Sequence, residues 1–304
     1  MDFPPYLASM PMHAITEIHG EPGLLARFRL EIAAFDPAAR RRLTEALDLA
    51  ADLHREDRRV REPYLNHLLR VAIRMMHHYQ VRDVDVIVAG LLHDAVEDHP
   101  AELAATDPTA TGPGAATDPA AAPAHPATAT DPATTTGSGA GERAVGDAGS
   151  GAGADADSGS ALVADPLARA ETQARTAALA VLDRRFGPRV ARLVAAVTNP
   201  LYDPDRDRAV QYREHVATSL DAEPWARVIK VSDFTDNGVG VIHAVGPRVA
   251  YWAAKYRPLV PVLRDLVARV DTPLSPPVKQ HIFDQLDLAE ERFSAILDQP
   301  VHPR

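Results

Sequence analysis

Cysteine is absent from the 304-residue chain. Disulfide bridges, thiolate metal sites and a cysteine nucleophile are thereby excluded. Excess positive charge is missing too, since 32 Lys and Arg stand against 42 Asp and Glu for a formal net charge of −10. Such a chain does not hold nucleic acid by bulk electrostatics, and any phosphate it handles must meet local positive charge or a metal. No apolar run approaches the roughly eighteen residues of a membrane span, so no membrane partner is expected. The opening MDFPPYLASM has no basic stretch followed by an apolar one, so no secretory leader is expected and the expected location is cytoplasmic. A Gly-rich phosphate loop and a convincing alternating strand are lacking as well.

What is present is apolar periodicity of the helical kind, in a chain that is 46% hydrophobic and can build a sizeable core. Asp36-Pro37 has the form of an N-cap followed by Pro at the first helical position, and Leu43, Ala46, Leu47, Ala50 and Leu53 then follow the 3.6-residue period. Leu65, Leu68, Leu69, Ala72 and Met76 form the next stripe, and Asp83 caps a third helix, apolar on most sides from Val84 to Leu92 and therefore central. Leu179 to Val197 predicts one or two helices with a break at Gly187-Pro188, while Pro224, Pro247 and Pro277 are expected to open three more. Leu286, Ala289, Phe293 and Ile296 mark a final amphipathic helix packed on the core. The expected fold class is all-α.

Residues 101–167 stand apart, composed almost wholly of Ala, Thr, Asp, Pro, Gly and Ser, with Ala-Thr-Asp-Pro recurring at Ala105–Pro108 and Ala116–Pro119. With few bulky apolar groups, burial there does not offset the entropy of ordering the chain, so a disordered insertion is expected, a tolerated surface loop before a regulatory one. The expected organisation is an N-terminal segment (1–35), a discontinuous folded domain (36–100 and 168–270) around the insertion, and a C-terminal helix and tail (271–304).

The polar residues that carry chemistry sit on apolar helices. The third helix runs into Leu91-Leu92-His93-Asp94-Ala95-Val96-Glu97-Asp98. Continued as a helix, it would stack His93 with Glu97 and Asp94 with Asp98. Three carboxylates and an imidazole that close repel one another unless a cation or protons neutralise them. Taken alone, the pair His93-Asp94 reads equally as an exposed helix end carrying acids. His67 among Leu65, Leu68 and Leu69, and Asp233 after Val228, Ile229 and Val231, shift the balance, because an unpaired carboxylate on such a helix is costly. His67, His93, Asp94 and Asp233 then supply four ligands of a kind suited to Mn²⁺, Fe²⁺ or Zn²⁺ rather than Ca²⁺.

The matching pieces are Arg58-Arg59 followed by Glu62-Pro63-Tyr64-Leu65-Asn66-His67, then Leu91 to Asp98, then Phe186-Gly187 with Val197-Thr198, and finally Lys230-Val231-Ser232-Asp233 with Asn237. In this order the chain resembles the hydrolase domain of the RelA/SpoT family and its small stand-alone relatives, within the HD-domain superfamily. The resemblance implies an all-α HD-domain bundle in which His67, His93, Asp94 and Asp233 bind one Mn²⁺. It implies that Glu97 and Asp98 act on the catalytic water, that Asn237 positions that water or the substrate, and that Arg58 and Arg59 contact the nucleotide. On the residues alone, Arg55 to Arg61 reads as a solvated basic run. The implied reaction is removal of the 3′-pyrophosphate of guanosine tetra- or pentaphosphate. Other nucleotides, such as NADPH or a nucleoside phosphate, and a catalytically silent nucleotide-binding regulator are the alternatives, and a homo-oligomer is compatible with each. The pattern departs in places: Leu68 stands where the family has Pro, Phe234-Thr235-Asp236 where it has Arg-Leu-His, and Gly238-Val239-Gly240 where it has Met-Arg-Thr.

Overall fold

Asp36 starts a helix by local chemistry alone. Its carboxylate accepts from the amides of Ala38 and Ala39 at 2.8 and 3.0 Å, and Pro37 follows at the first helical position. The computed structural model describes residues 4–59, 62–107, 166–238, 240 and 249–298. Among them the elements run α1 (Met12–Ile32), α2 (Pro37–Leu53), β1 (Arg58–Arg59), β2 (Glu62–Pro63), α3 (Leu65–His77), α4 (Val84–Leu91), α5 (Ala95–Asp98) and α6 (Pro100–Ala105). They continue with α7 (Pro166–Phe186), α8 (Pro188–Val197), α9 (Arg208–Ala222), α10 (Pro224–Asn237), α11 (Val249–Tyr256), α12 (Leu259–Ala268) and α13 (Pro276–Leu297). The all-α expectation is borne out, and no described helix is long and apolar enough to cross a membrane.

The centre of the bundle is α3, which packs on α1, α4 and α10, while α4 packs in turn on α2 and α8. Close approach of α3 and α4 needs Gly90, since a Cβ there would lie 2.7 Å from the Met75 sulfur. The expected break at Gly187-Pro188 separates α7 from α8, with Gly187 at φ 89°, a conformation glycine adopts without strain. From α10, the Ser232 hydroxyl donates to the Val71 carbonyl at 2.9 Å, and Arg74 donates to the Ser232 carbonyl at 2.9 Å. These buried bonds join α3 to α10 where both carry site residues.

Several sequence expectations change. The third helix stops at Leu91, and α5 is a separate short turn of helix, so His93 and Asp94 occupy a bend rather than a continuous helical face. The N-terminal segment holds a long helix, α1, kinked at Gly20 and packed on α3. A two-residue antiparallel pair, Arg58 opposite Pro63 and Arg59 opposite Glu62, precedes α3. Helix α13 opens at Pro276, one residue before Pro277, and Leu286, Ala289 and Phe293 are buried. The expected Pro247 helix start lies outside the described residues, as do 108–165 of the expected insertion. The described edges of that stretch are helical, and α6 packs directly on α7.

Candidate metal centre

His67, on α3, has no exposed surface. A buried imidazole needs a partner for each ring nitrogen. Nδ1 has one in Asp236 Oδ2 at 2.8 Å, whereas the buried Nε2 has no hydrogen-bond partner. His93 repeats the arrangement: Nδ1 lies 2.9 Å from the Gly90 carbonyl, and the buried Nε2 has no hydrogen-bond partner. An Nδ1 proton donated to an oxygen leaves a lone pair on Nε2, the state in which histidine binds metal.

Both Nε2 atoms face the same two carboxylates. His93 Nε2 lies 3.0 Å from Asp94 Oδ2 and 3.8 Å from Asp233 Oδ1, and His67 Nε2 lies 3.7 and 3.4 Å from those atoms. Ligand atoms of His67, His93 and Asp233 lie within 4.8 Å of one another. Two buried, orphaned imidazole nitrogens opposite two carboxylate oxygens, one buried and one half-buried, fit a divalent transition metal. The four residues expected as ligands are therefore brought together from α3, the bend after α4, and α10.

The electrostatics show the same demand for positive charge. Burial opposes protonation of His93, yet Asp94 and Asp233 outweigh it and raise the ring to about 10. Burial alone would raise the Asp94 carboxyl, but His93 overrides it and holds Asp94 below the usual carboxylate range. Asp233 is likewise held low against burial, chiefly by Lys230, whose ammonium lies 3.1 Å from its Oδ2.

Around this core the Tyr64 hydroxyl donates to Asp94 Oδ2 at 2.7 Å, and Asn237 Nδ2 donates to Asp233 Oδ1 at 2.5 Å. Arg59 donates to Asn237 Oδ1 at 2.7 Å, with its guanidinium 5.0 Å from the centre of the Tyr64 ring. Arg58 is exposed and donates to the carbonyls of Arg55 and Asp57 at 3.2 and 3.0 Å, so it turns outward while its neighbour turns in. His54, for which spacing supplies no role, is buried and stacks on Tyr64 at 4.7 Å; its Nδ1 lies 2.7 Å from the Asp57 carboxylate, which His99 also approaches at 2.6 Å.

The bend separates the two acids that were expected to stack beneath His93 and Asp94. Glu97 is half-buried, and Asn199 holds both its oxygens, from the backbone amide at 3.1 Å and the side-chain amide at 2.8 Å. Asp98 lies at the rim. Desolvation, then the charges of Asp94, Glu97 and Asp57, push its carboxyl up to about 8.

Two residues of this site escape sequence reasoning. Asn199 follows the motif residue Thr198 in a connecting segment, where no periodicity applies. Asp236 appears in the sequence as a departure from the family pattern, yet it lies beneath the centre, bonded to His67 and to Arg70 (2.8 and 2.9 Å) and Arg74 (3.2 Å). A signal for it existed: His67, Arg70 and Arg74 share one face of a largely apolar helix, and a buried Arg74 beside a partly buried Arg70 requires an anion.

Fold and site together define an all-α protein with a candidate His/Asp centre for a divalent metal. No protein-family model matches the chain. The chain is 46% identical over 59 residues, 18% of its length and 33% of the relative's, to guanosine-3′,5′-bis(diphosphate) 3′-pyrophosphohydrolase MESH1 of Mus musculus and equally to that of Homo sapiens. The Danio rerio protein of the same name is 44% identical over the same length. The matched stretch spans about a third of the length of these curated relatives. A solved structure of a metazoan ortholog of SpoT that hydrolyses ppGpp aligns over 85% of this chain and 98% of its own, at 19% identity and a TM-score of 0.47. Over that stretch, the resemblance read from the motifs is matched by similarity to proteins named as guanosine-3′,5′-bis(diphosphate) 3′-pyrophosphohydrolases.

Proposed function

We propose that the chain is a metal-dependent phosphohydrolase of the HD type that removes the 3′-pyrophosphate of guanosine tetra- or pentaphosphate, with Mn²⁺ as its ion. The observation that carries this reading is the pair of orphaned Nε2 atoms of His67 and His93, set opposite Asp94 and Asp233. The names of the similar proteins supply the substrate. In this reading residues 36–100 and 168–270 form the hydrolase domain, interrupted by the 101–167 insertion, with α1 of the N-terminal segment and α13 of the C-terminal one packed on it.

The ion, when bound, neutralises charge on the phosphoryl oxygens and lowers the pKa of bound water. Glu97 accepts the proton of the attacking water, and Asn199 fixes the direction of its carboxylate. Water oxygen bonds to phosphorus, the phosphorus–O3′ bond breaks, and Asp98, whose carboxyl is raised by desolvation and by its acidic neighbours, protonates the departing ribose oxygen. Asn237, held between Arg59 and Asp233, keeps the donor side of the cleft in place.

A second reading, hydrolysis of another nucleotide such as NADPH or a nucleoside phosphate by the same centre, is favoured by the outward turn of Arg58. Phosphate and pyrophosphate release from a nucleotide panel with Mn²⁺ separates the two. Pyrophosphate from guanosine tetraphosphate is the expected result, and turnover confined to another nucleotide selects the second reading. Metal binding with no turnover of any nucleotide refutes both and leaves a silent nucleotide-binding regulator.

Asn199→Ala removes the side-chain bond to Glu97 without touching a metal ligand. A carboxylate misdirected by about 1 Å costs on the order of a hundredfold. The expected result is a fall in kcat of about ten- to a hundredfold with metal content unchanged; wild-type kcat in the variant would remove Asn199 from the mechanism.

A further inference from the structure

Lys230 and Lys255 approach the same aromatic ring. Their ammonium nitrogens lie 5.7 and 5.6 Å from the centre of Tyr212. Only Lys230 has a carboxylate, Asp233. Among the described residues no carboxylate pairs with Lys255, whose ammonium lies instead 5.3 Å from the Trp252 ring centre and 5.5 Å from that of Tyr256. Trp252 and Tyr256 stack at 6.1 Å with planes 19° apart. The corner thus has one cation compensated by a metal ligand, a second cation set against three aromatic rings with Glu97 and Asp233 acting on it only from beyond ion-pair distance, and a continuous line of contacts, Lys255 to Tyr212 to Lys230 to Asp233, leading to the metal centre.

Two like charges against one ring repel each other, and ring quadrupoles compensate a cation less fully than an anion does. Such a corner is completed by an oxyanion, and the half-buried, stacked rings of Trp252 and Tyr256 beside it suit a ribose or base. We infer that Lys255, Tyr212, Trp252 and Tyr256 form an anion subsite of the catalytic cleft, which takes a phosphate group of the bound nucleotide beyond the reach of the metal ligands. Burial, then the Lys230 charge, pulls the Lys255 ammonium below its ordinary value against the opposing charges of Glu97 and Asp233. The inference rests on the nucleotide-hydrolase reading and assigns residues to the phosphate that the metal ligands do not hold.

The test uses the full chain loaded with Mn²⁺ and inorganic pyrophosphate and GDP as probes. Trp252 emission reports arrival at the corner in a Trp225→Phe background, which leaves Trp252 as the single tryptophan. Both probes are expected to change that emission. Lys255→Met is expected to weaken GDP binding about tenfold, the effect of losing one charge-assisted contact, and Lys255→Arg to restore most of it. In turnover of guanosine tetraphosphate, Lys255→Met should raise KM about tenfold while kcat changes less. Unchanged GDP affinity and KM in a folded Lys255→Met protein that still hydrolyses the alarmone overturns the subsite and leaves the hydrolase reading standing. Failure of the wild type to bind either probe or to turn over any nucleotide overturns both.

Discussion

Asp94→Ala is expected to lose both the bound divalent ion and pyrophosphate release, with kcat reduced by about a thousandfold or more. A metal ion supplies several kcal/mol of charge stabilisation in phosphoryl transfer, and each ~1.4 kcal/mol is a factor of ten in rate. Asp94 is the residue to change because its Oδ2 is the common neighbour of both imidazoles, 3.0 Å from His93 Nε2 and 3.7 Å from His67 Nε2. It also accepts from Tyr64 at 2.7 Å, so its loss frees the ring that Arg59 covers and His54 stacks upon. Metal content per chain and single-turnover pyrophosphate release measure the two effects, with circular dichroism to confirm the helical fold. A variant that kept one ion per chain and a rate within about threefold of wild type would disprove the assignment of Asp94 as a ligand.

The second large effect is on stability. Asp236 is buried beneath the centre and bonded to His67, Arg70 and Arg74, and Arg70 also pairs with Glu62 at 2.7 Å. Removing one charge from such a buried network leaves the others uncompensated, at a cost of about 3–5 kcal/mol. Asp236→Asn is therefore expected to lower the stability to urea by that amount. It should also weaken metal binding by about ten- to a hundredfold, because Asp236 fixes the His67 tautomer.

Acid should imitate the substitution. Burial would raise the Asp236 carboxyl, but Arg70, His67 and Arg74 hold it well below the usual carboxylate range. A carboxylate whose folded pKa is depressed contributes its full stability above the unfolded value of about 4 and loses it as pH falls towards the folded value. Between neutral pH and about 4 the contribution is constant, and it declines only below that. Unfolding midpoints across pH, wild type against Asp236→Asn, test this: the gap should narrow on acidification below about pH 4, and a gap independent of pH down to the acid limit contradicts the assignment.

Helix starts and stops that depend on neighbours in the chain are legible in the sequence. Asp36, Asp83 and Asp207 each cap a helix through amides two or three residues on, and Gly187-Pro188 ends one helix and begins the next. Of these, Asp36, Asp83 and Gly187-Pro188 were readable in advance, since both caps precede a clear apolar period; Asp207 was not, because α9 behind it is largely polar and half-exposed. The bend at His93-Asp94 was not legible, since nothing in Leu91 to Asp98 opposes a continued helix. It is decided by packing and by the His93 bond back to the Gly90 carbonyl.

By itself the sequence determined the all-helical class, the absence of thiolate chemistry, and four polar residues on or beside apolar helices as candidate ligands: His67, His93, Asp94 and Asp233. Residue type and local period are enough for that, because burying an imidazole or carboxylate without a partner is costly wherever the chain goes. Only the tertiary structure decided which partners they have. It placed Arg59 inside and Arg58 outside, put Asp236 under His67 and Asn199 on Glu97, and brought Lys255 of α11 to the ring that Lys230 of α10 also faces. Those contacts join residues up to 178 positions apart, as Arg59 and Asn237 are, and direction and distance across such a gap are set by how helices pack, which no local pattern encodes.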